Sequence, residues 1–231
     1  MSLVIDNFLA VKSELARACA ACGRPESDVK LLVVSKTIPV PVMMELYDYG
    51  IREFAENREP ELAMKKAAMP DDIIWHFIGP VQSNKIRKVV KLAQVIHSVE
   101  SSSQLEKFER IAGEENVSPE ILLEVNVSGE ASKGGMTPAE LPAVAQMAAG
   151  CRNLRFAGLM TMAPFEAAEN ELTKIFSTLR ELNEKCAADT GRELPLISMG
   201  MSGDFPVAVA CGSTVVRVGS RIFEGIERIS R

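Results

Sequence analysis

A lysine follows an apolar run in Leu31-Leu32-Val33-Val34-Ser35-Lys36-Thr37. Burying an ammonium is costly. A lysine at the C-terminal end of a strand therefore either snorkels to solvent on its apolar stem or serves a ligand. In the second case its amine, once deprotonated, can attack a carbonyl and form a Schiff base. Two further segments could hold the same ligand. Met199-Gly200-Met201-Ser202-Gly203 combines glycines, which let a backbone approach closely, with a hydroxyl. Arg217-Val218-Gly219-Ser220 closes an apolar run where a helix is expected to begin, so the N–H groups of Gly219 and Ser220 would point at an anion. Each loop alone reads equally as turn glycine and cap serine. Both loops together, opposite Lys36, make a site for a phosphate beside an amine.

Other polar residues gather at expected strand ends. Glu56-Asn57 ends the second, Gly79 to Asn84 follow the third, and Asn126-Val127-Ser128 ends the fifth. Arg217 alternates with Val216 and Val218, so it faces inward and needs a partner. A ring nitrogen or carboxylate of a ligand could serve, as could an internal salt bridge to Glu56 or Glu124. His76, beside Trp75, reads as a satisfied core histidine. His97 reads as more open and has no evident partner. No Ser/His/Asp arrangement is legible, and the glycine-rich loop 128–135 contains Lys133 without the Walker spacing. That loop is the best candidate for a moving segment.

The elements that must position these residues alternate strictly. Strands are expected over 31–36, 51–56, 74–78, 95–99, 121–127, 156–161, 196–199 and 215–218. Helices are expected over 42–49, 61–68, 83–91, 102–111 (with serines 101 to 103 as caps), 138–149, 169–189, 205–211 and part of 220–229. A further amphipathic helix, 7–22, precedes the first strand. Short apolar strands alternating with helices pair in parallel. Eight of them close a (β/α)₈ TIM barrel, for which roughly 250 residues is typical. An open doubly wound sheet would carry a GxGxxG after the first strand, and none is present. The expectation is an α/β fold, one barrel domain spanning 1–231 with an extra N-terminal helix.

The chain has 231 residues, 47% of them hydrophobic and 25% charged, with a formal net charge of -5. That composition supports a full core and gives no basic footprint for nucleic acid. Lys85, Arg87, Lys88 and Lys91 make the densest basic run and read as a solvated helix face. No apolar run reaches the roughly 20 residues of a membrane helix, and no leader is evident in 1–10. Five cysteines, with one CxxC at Cys19 and Cys22, supply no zinc tetrad. Free thiols in a reducing cytoplasm, in a monomeric protein, are the expectation.

The segments LLVVSKT, FAEN, WHFIGPVQSNKIRKVV, IHSVES, EVNVSGEASKGGM, LRFAGLMTMAP, SMGMSGDF and GSTVVRVGSRIF, in this order, resemble the pyridoxal phosphate homeostasis protein family (the YggS/PROSC type) over 29–223. The resemblance implies a barrel like that of bacterial alanine racemase, with pyridoxal 5'-phosphate held on Lys36 as an internal aldimine. It implies that Ser202, Gly219 and Ser220 hold the phosphate and that Arg217 faces the pyridine nitrogen. Asn57 and the Met199-Gly200 backbone would line the ring. It also implies a carrier that buffers the cofactor without robust catalysis, with cofactor-dependent apoenzymes as recipients. The family's FGEN reads FAEN here, Arg58 stands where a tyrosine is usual, Pro60 where a glutamine is common, and Ser220 where threonine is frequent. Arg58 and Pro60 put the loop after the second strand in question.

The chemistry of the residues agrees with a carrier. An arginine only donates and keeps its proton, so a ring nitrogen facing it stays neutral, which weakens the electron sink of pyridoxal chemistry. A racemase needs a base on each face of its substrate, and Lys36 is the one base in evidence. An amino-acid racemase or lyase is the alternative. A barrel that binds another phosphorylated metabolite, with Lys36 as a charge clamp, is the third reading.

Overall fold

Most strands carry the short apolar run that burial on both faces demands, with charged or polar residues in β2 and β3 as exceptions. In the computed structural model, which describes residues 2–130 and 133–228, eight parallel strands close a barrel in the order β1-β2-β3-β4-β5-β6-β7-β8. They are β1 (Lys30–Val34), β2 (Glu53–Glu56), β3 (Ile74–Phe77), β4 (Val95–Val99), β5 (Glu120–Glu124), β6 (Arg155–Met160), β7 (Leu196–Ser198) and β8 (Val215–Val218). The helices are α1 (Leu3–Ala21), before the first strand, then α2 (Val40–Asp48), α3 (Glu59–Ala68), α4 (Ile86–Leu92), α5 (Ser102–Glu115), α6 (Leu141–Ala149), α7 (Glu169–Thr190) and α8 (Phe205–Ala210). The fold is the expected (β/α)₈-type TIM barrel with a helix before the first strand, and that helix, α1, packs between α8 and α2 as a member of the outer ring.

The larger core lies between strands and helices, where Val33, Phe54, Trp75, Ile96, Leu123 and Val216 meet the helix faces. The barrel interior holds small apolar patches instead: Leu32, Val34, Ala55 and Val215 in one, and Val95, Leu122 and Met160 in another. Strand alternation puts Arg217 on the face of Val215, and His97 on that of Val95. The interior is therefore partly polar, and its polar groups need partners.

Two features secure closure. Strand β1 pairs with β8 in the register Leu32↔Arg217 and Val33↔Val218. Helix α1 clasps the end of the chain, since Asn7 Nδ2 donates to the carbonyls of Ile222 at 3.2 Å and Glu224 at 2.9 Å. Arg221 forms an ion pair with Glu14 on the same helix. Gly158 is required in β6: a Cβ there would lie 1.7 Å from the Leu196 carbonyl oxygen.

Several boundaries differ from expectation. The run ending at Lys36 stops being strand at Val34, because Ser35 to Ile38 form a turn. A 3₁₀ turn, Glu26–Asp28, leads into β1 and was not expected. The expected final helix is not formed: 221–225 are turns, and Ile229 lies outside the described residues. Of the loop 128–135, Ala131 and Ser132 are likewise outside them. Asn126 ties down the rest, donating to the Glu130 carbonyl and accepting from the Gly129 N–H. Ser101 does cap α5, accepting from the Gln104 N–H at 3.3 Å.

Candidate cofactor site

Lys36 stands in a tight turn, not on the strand. The Ile38 N–H donates to the Ser35 carbonyl at 3.0 Å, which makes Lys36 and Thr37 the two central turn residues. Thr37 has φ 66°, a left-handed conformation costly for a β-branched residue. Strain of this kind persists only where the surroundings enforce it. They do so here. The Lys65 Nζ, on α3, donates to the Ser35 carbonyl at 2.8 Å and to Glu56 Oε1 at 2.7 Å. Ser35 Oγ donates to the same Glu56 oxygen at 2.7 Å. Lys65 and Glu56 are 1% and 0% exposed, so a fully buried ion pair fixes the backbone immediately before Lys36. Lys36 itself is exposed and has no hydrogen bond or ion pair through Nζ among the described residues.

Across the seam, Arg217 is buried. Its Nη1 donates to Ser198 Oγ at 2.7 Å and its Nη2 to the Thr161 carbonyl at 2.9 Å. Neither Glu56 nor Glu124 forms the salt bridge that was the alternative: Glu56 is taken by Lys65, and Arg217 bonds neutral oxygens. Burial lowers the Arg217 pKa to about 10, against the attraction of Glu124 and Asp204, so it remains charged at neutral pH. Glu124 is pushed up to about 7, first by burial and then by Glu100.

Lys36 and Arg217 line one cavity of about 680 Å³ at the C-terminal mouth of the barrel, with Asn57, Ser202, Gly219 and Ser220. Six of the eight expected site residues thus come together. Met199 and Gly200 do not line it. Met199 is fully buried in the outer core. Gly200, at φ 90°, packs on α8, where a Cβ would come 2.6 Å from the Ala208 Cβ, and its carbonyl accepts from the Arg217 N–H. Both therefore support the loop from behind. Gly219 also has a structural reason to be glycine, since a Cβ would lie 2.7 Å from the Val34 carbonyl oxygen.

The residues fit a phosphorylated aldehyde. The N–H groups of Ser202, Gly203 and Ser220 donate to no protein acceptor among the described residues, which leaves them for an anion. Ser202 Oγ meets the Gly219 N–H at 3.4 Å and joins the two loops. An amine and a guanidinium supply positive charge nearby. The substitutions near Asn57 leave this arrangement alone. Arg58 turns outward to Glu61 at 3.1 Å, and Pro60 sits in the first turn of α3, where no N–H is needed. The basic run on and before α4 is neutralised: Lys85 and Lys88 pair with Glu59, Arg87 with Glu114 and Glu115, and Lys91 with Glu115.

The histidines differ from expectation. His97 is fully buried, not open, and has two partners, His76 at 2.9 Å and Ser198 at 2.9 Å. His76 is the satisfied core residue expected, bonded also to Glu53 at 2.9 Å. Lys65 was missed altogether. Its signal is its position: it shares a helical face with Leu62 and Met69, both buried.

Comparison with known proteins places the chain. A family model described as "Alanine racemase, N-terminal domain" matches residues 10–226. A protein of Aquifex aeolicus named "Pyridoxal phosphate homeostasis protein" is 36% identical over 94% of this chain and 96% of its own. One of the same name from Pseudomonas aeruginosa is 38% identical over 96% of each chain. A structure of PipY from Synechococcus elongatus, described as having PLP bound, superposes with a TM-score of 0.80 at 35% identity, covering 90% of this chain and 99% of that one. Alanine racemase from Clostridium difficile shares the fold, with a TM-score of 0.72 at 14% identity over 90% of this chain and 58% of its own. The chain belongs to the pyridoxal phosphate homeostasis protein family, within the larger group defined by the N-terminal domain of alanine racemase.

Proposed function

We propose that this chain binds pyridoxal 5'-phosphate through Lys36 and serves as a carrier in intracellular homeostasis of the cofactor, without robust catalysis. The observation that carries the reading is the Lys36 amine in a strained turn, without a partner among the described residues, facing a cavity with N–H donors likewise unpaired among them and a buried arginine. When bound, the cofactor supplies an aldehyde that condenses with an amine and a ring that can withdraw electrons. Lys36 supplies that amine. Ser202, Gly219 and Ser220 bind the phosphate, and Asn57 lines the ring. Arg217 donates toward the ring nitrogen and holds no proton that it could give up.

The same cavity argues against turnover. Its ionisable lining residues are Lys36, Glu166, Asp204, Arg217 and Arg228. Asp204 is engaged by the Met201 N–H. None of the lining side chains is a histidine, tyrosine or cysteine, and Glu166, at the rim beside the exposed Phe165, is the one remaining carboxylate that could act as a second base. An open pocket of this kind suits loading and release to cofactor-dependent apoenzymes by a monomer. Free thiols at Cys19, Cys22, Cys151, Cys186 and Cys211 suit a reducing cytoplasm. No helix among the described residues is long and apolar enough to cross a membrane.

Borohydride reduction of the cofactor-loaded protein, followed by peptide mass mapping, tests the reading. A pyridoxyl mass on the Lys36 peptide is expected. The same mass on Lys85 or Lys133, or on no lysine, sinks the central assignment. Sustained turnover of L-alanine or another common amino acid, of order 1–1,000 s⁻¹, would replace the carrier with the racemase or lyase reading.

A further inference from the structure

A continuous chain of hydrogen bonds crosses the inside of the barrel from its N-terminal mouth to the candidate site. Lys30 Nζ pairs with Glu53 Oε2 at 2.7 Å, and the same oxygen meets His76 Nε2 at 2.9 Å. His76 Nδ1 meets His97 Nε2 at 2.9 Å, His97 Nδ1 meets Ser198 Oγ at 2.9 Å, and Ser198 Oγ accepts from Arg217 Nη1 at 2.7 Å. Six strands contribute one residue each: β1, β2, β3, β4, β7 and β8.

The two ends dictate the direction of every link. The Glu53 carboxylate only accepts, and the Arg217 guanidinium only donates. His76 must then carry its proton on Nε2, which leaves Nδ1 bare. His97 must carry its proton on Nε2 to donate to that bare nitrogen, which leaves its own Nδ1 bare. Ser198, which already accepts from Arg217, must donate its hydroxyl hydrogen to His97. With both imidazoles neutral, one proton arrangement satisfies all the contacts, and the reverse direction would face a bare His76 nitrogen with the Glu53 carboxylate. Burial pushes both imidazoles below the ordinary histidine range, His97 furthest, which keeps them neutral at pH 7.

We infer that Glu53, His76, His97 and Ser198 form a one-directional relay of positioning residues that commits the Ser198 hydrogen to His97 and so leaves the serine oxygen to hold Arg217 Nη1 at the ligand cavity. A proton taken up on His76 Nδ1 would reverse it: His97 would carry its own proton on Nδ1 and donate to Ser198, whose hydroxyl would keep its hydrogen and turn it away from His97. The charged groups around the relay are Lys30 against Glu53, Glu120 near His76, and Glu124 and Asp204 near Arg217. The inference that ligand binding senses the relay rests on the proposed cofactor site; the proton arrangement does not.

The chain has two histidines, so ring ¹⁵N NMR of the cofactor-free protein reads the relay directly. Both rings should show a protonated Nε2 and a bare Nδ1 at neutral pH. A proton on Nδ1 of either ring overturns the inference. In Glu53→Gln, which removes the obligate acceptor at the far mouth, the His97 ring signals should shift toward the other tautomer. Glu120→Gln, on a carboxylate at the same mouth with no bond to the relay, should leave them in place. Identical His97 signals in Glu53→Gln and wild type would also overturn it. Pyridoxal phosphate added to wild type should move the His97 signals, and in Ser198→Ala that response should vanish. A response that persists in Ser198→Ala would break the link to the site. If the cofactor-site reading alone fails, no variant responds to pyridoxal phosphate, while the tautomers stay as stated.

Discussion

Two buried polar assemblies flank the seam between β1 and β8, and they solve opposite electrostatic problems. Behind Lys36, a full ion pair between Lys65 and Glu56 is sealed from solvent, with Ser35 bonded to both. Behind Arg217, neutral imidazoles and a hydroxyl carry the contacts, and charge appears only at the two ends. The first assembly holds backbone in a strained turn; the second holds a side chain. The charged assembly is also incomplete, since the second oxygen of Glu56 has no partner among the described residues. A buried charge that loses its counter-ion costs far more than a neutral group that loses a hydrogen bond. The two sides of the site should therefore fail in different ways.

The largest effect is expected on the charged side. Lys65→Met leaves the Glu56 carboxylate buried and unpaired, and should destabilise the fold by about 3–5 kcal/mol in urea denaturation. Adding Glu56→Gln to Lys65→Met should recover much of that loss. On the neutral side, Ser198→Ala should cost about 1–3 kcal/mol, the penalty for unsatisfied buried groups. Equal losses for Lys65→Met and Ser198→Ala would erase the contrast.

Glu124, close to the neutral side, gives a pH test. Its folded pKa of about 7 lies above the ordinary 4.5, so the folded state keeps a proton that the unfolded chain releases. Its contribution to stability is complete below about pH 4.5 and is lost as pH rises through about 7. Denaturation midpoints of Glu124→Gln should lack the decline over that window that wild type shows. A decline of the same size in both proteins would assign it to another group. The smallest effect is expected at the phosphate end. Ser220→Ala removes one hydroxyl while the backbone donors stay, so pyridoxal phosphate affinity should fall by about 1 kcal/mol in a spectrophotometric titration.

The barrel was legible because its strands are short apolar runs at regular spacing, and β4 and β8 matched at both ends. The C-terminal ends of β1, β3, β5, β6 and β7 were expected too far along where apolar or small residues continue into the loop, as at Ser35 and Val125 to Val127, while the expected β2 was right at Glu56 and began two residues early. Lys36, Arg217 and the two glycine–serine loops were legible as types at strand ends. The partners that hold them were not. His97 finds Ser198 only across the closed barrel, so it read as unpartnered. Lys65 reaches Glu56 from the facing turn of the next helix, and a charged residue on a surface helix ordinarily reads as solvated. The family resemblance placed the Met199-Gly200 backbone at the ring, and residue types alone do not tell the cavity side of a loop from its packed side.

The pairing of β1 with β8 has a consequence for when the site can exist. Lys36 follows the first strand and Arg217 lies on the last, so a stretch of chain holds both only if it spans every strand from β2 up to β8. During synthesis the amine would emerge before any of the strands β2 to β7 and wait for its arginine until β8 had followed them. Contacts this distant in sequence form late and slowly. A ligand that grips the Lys36 turn and β8 together stabilises only the closed ring, so it would act as a clasp on the last step of folding.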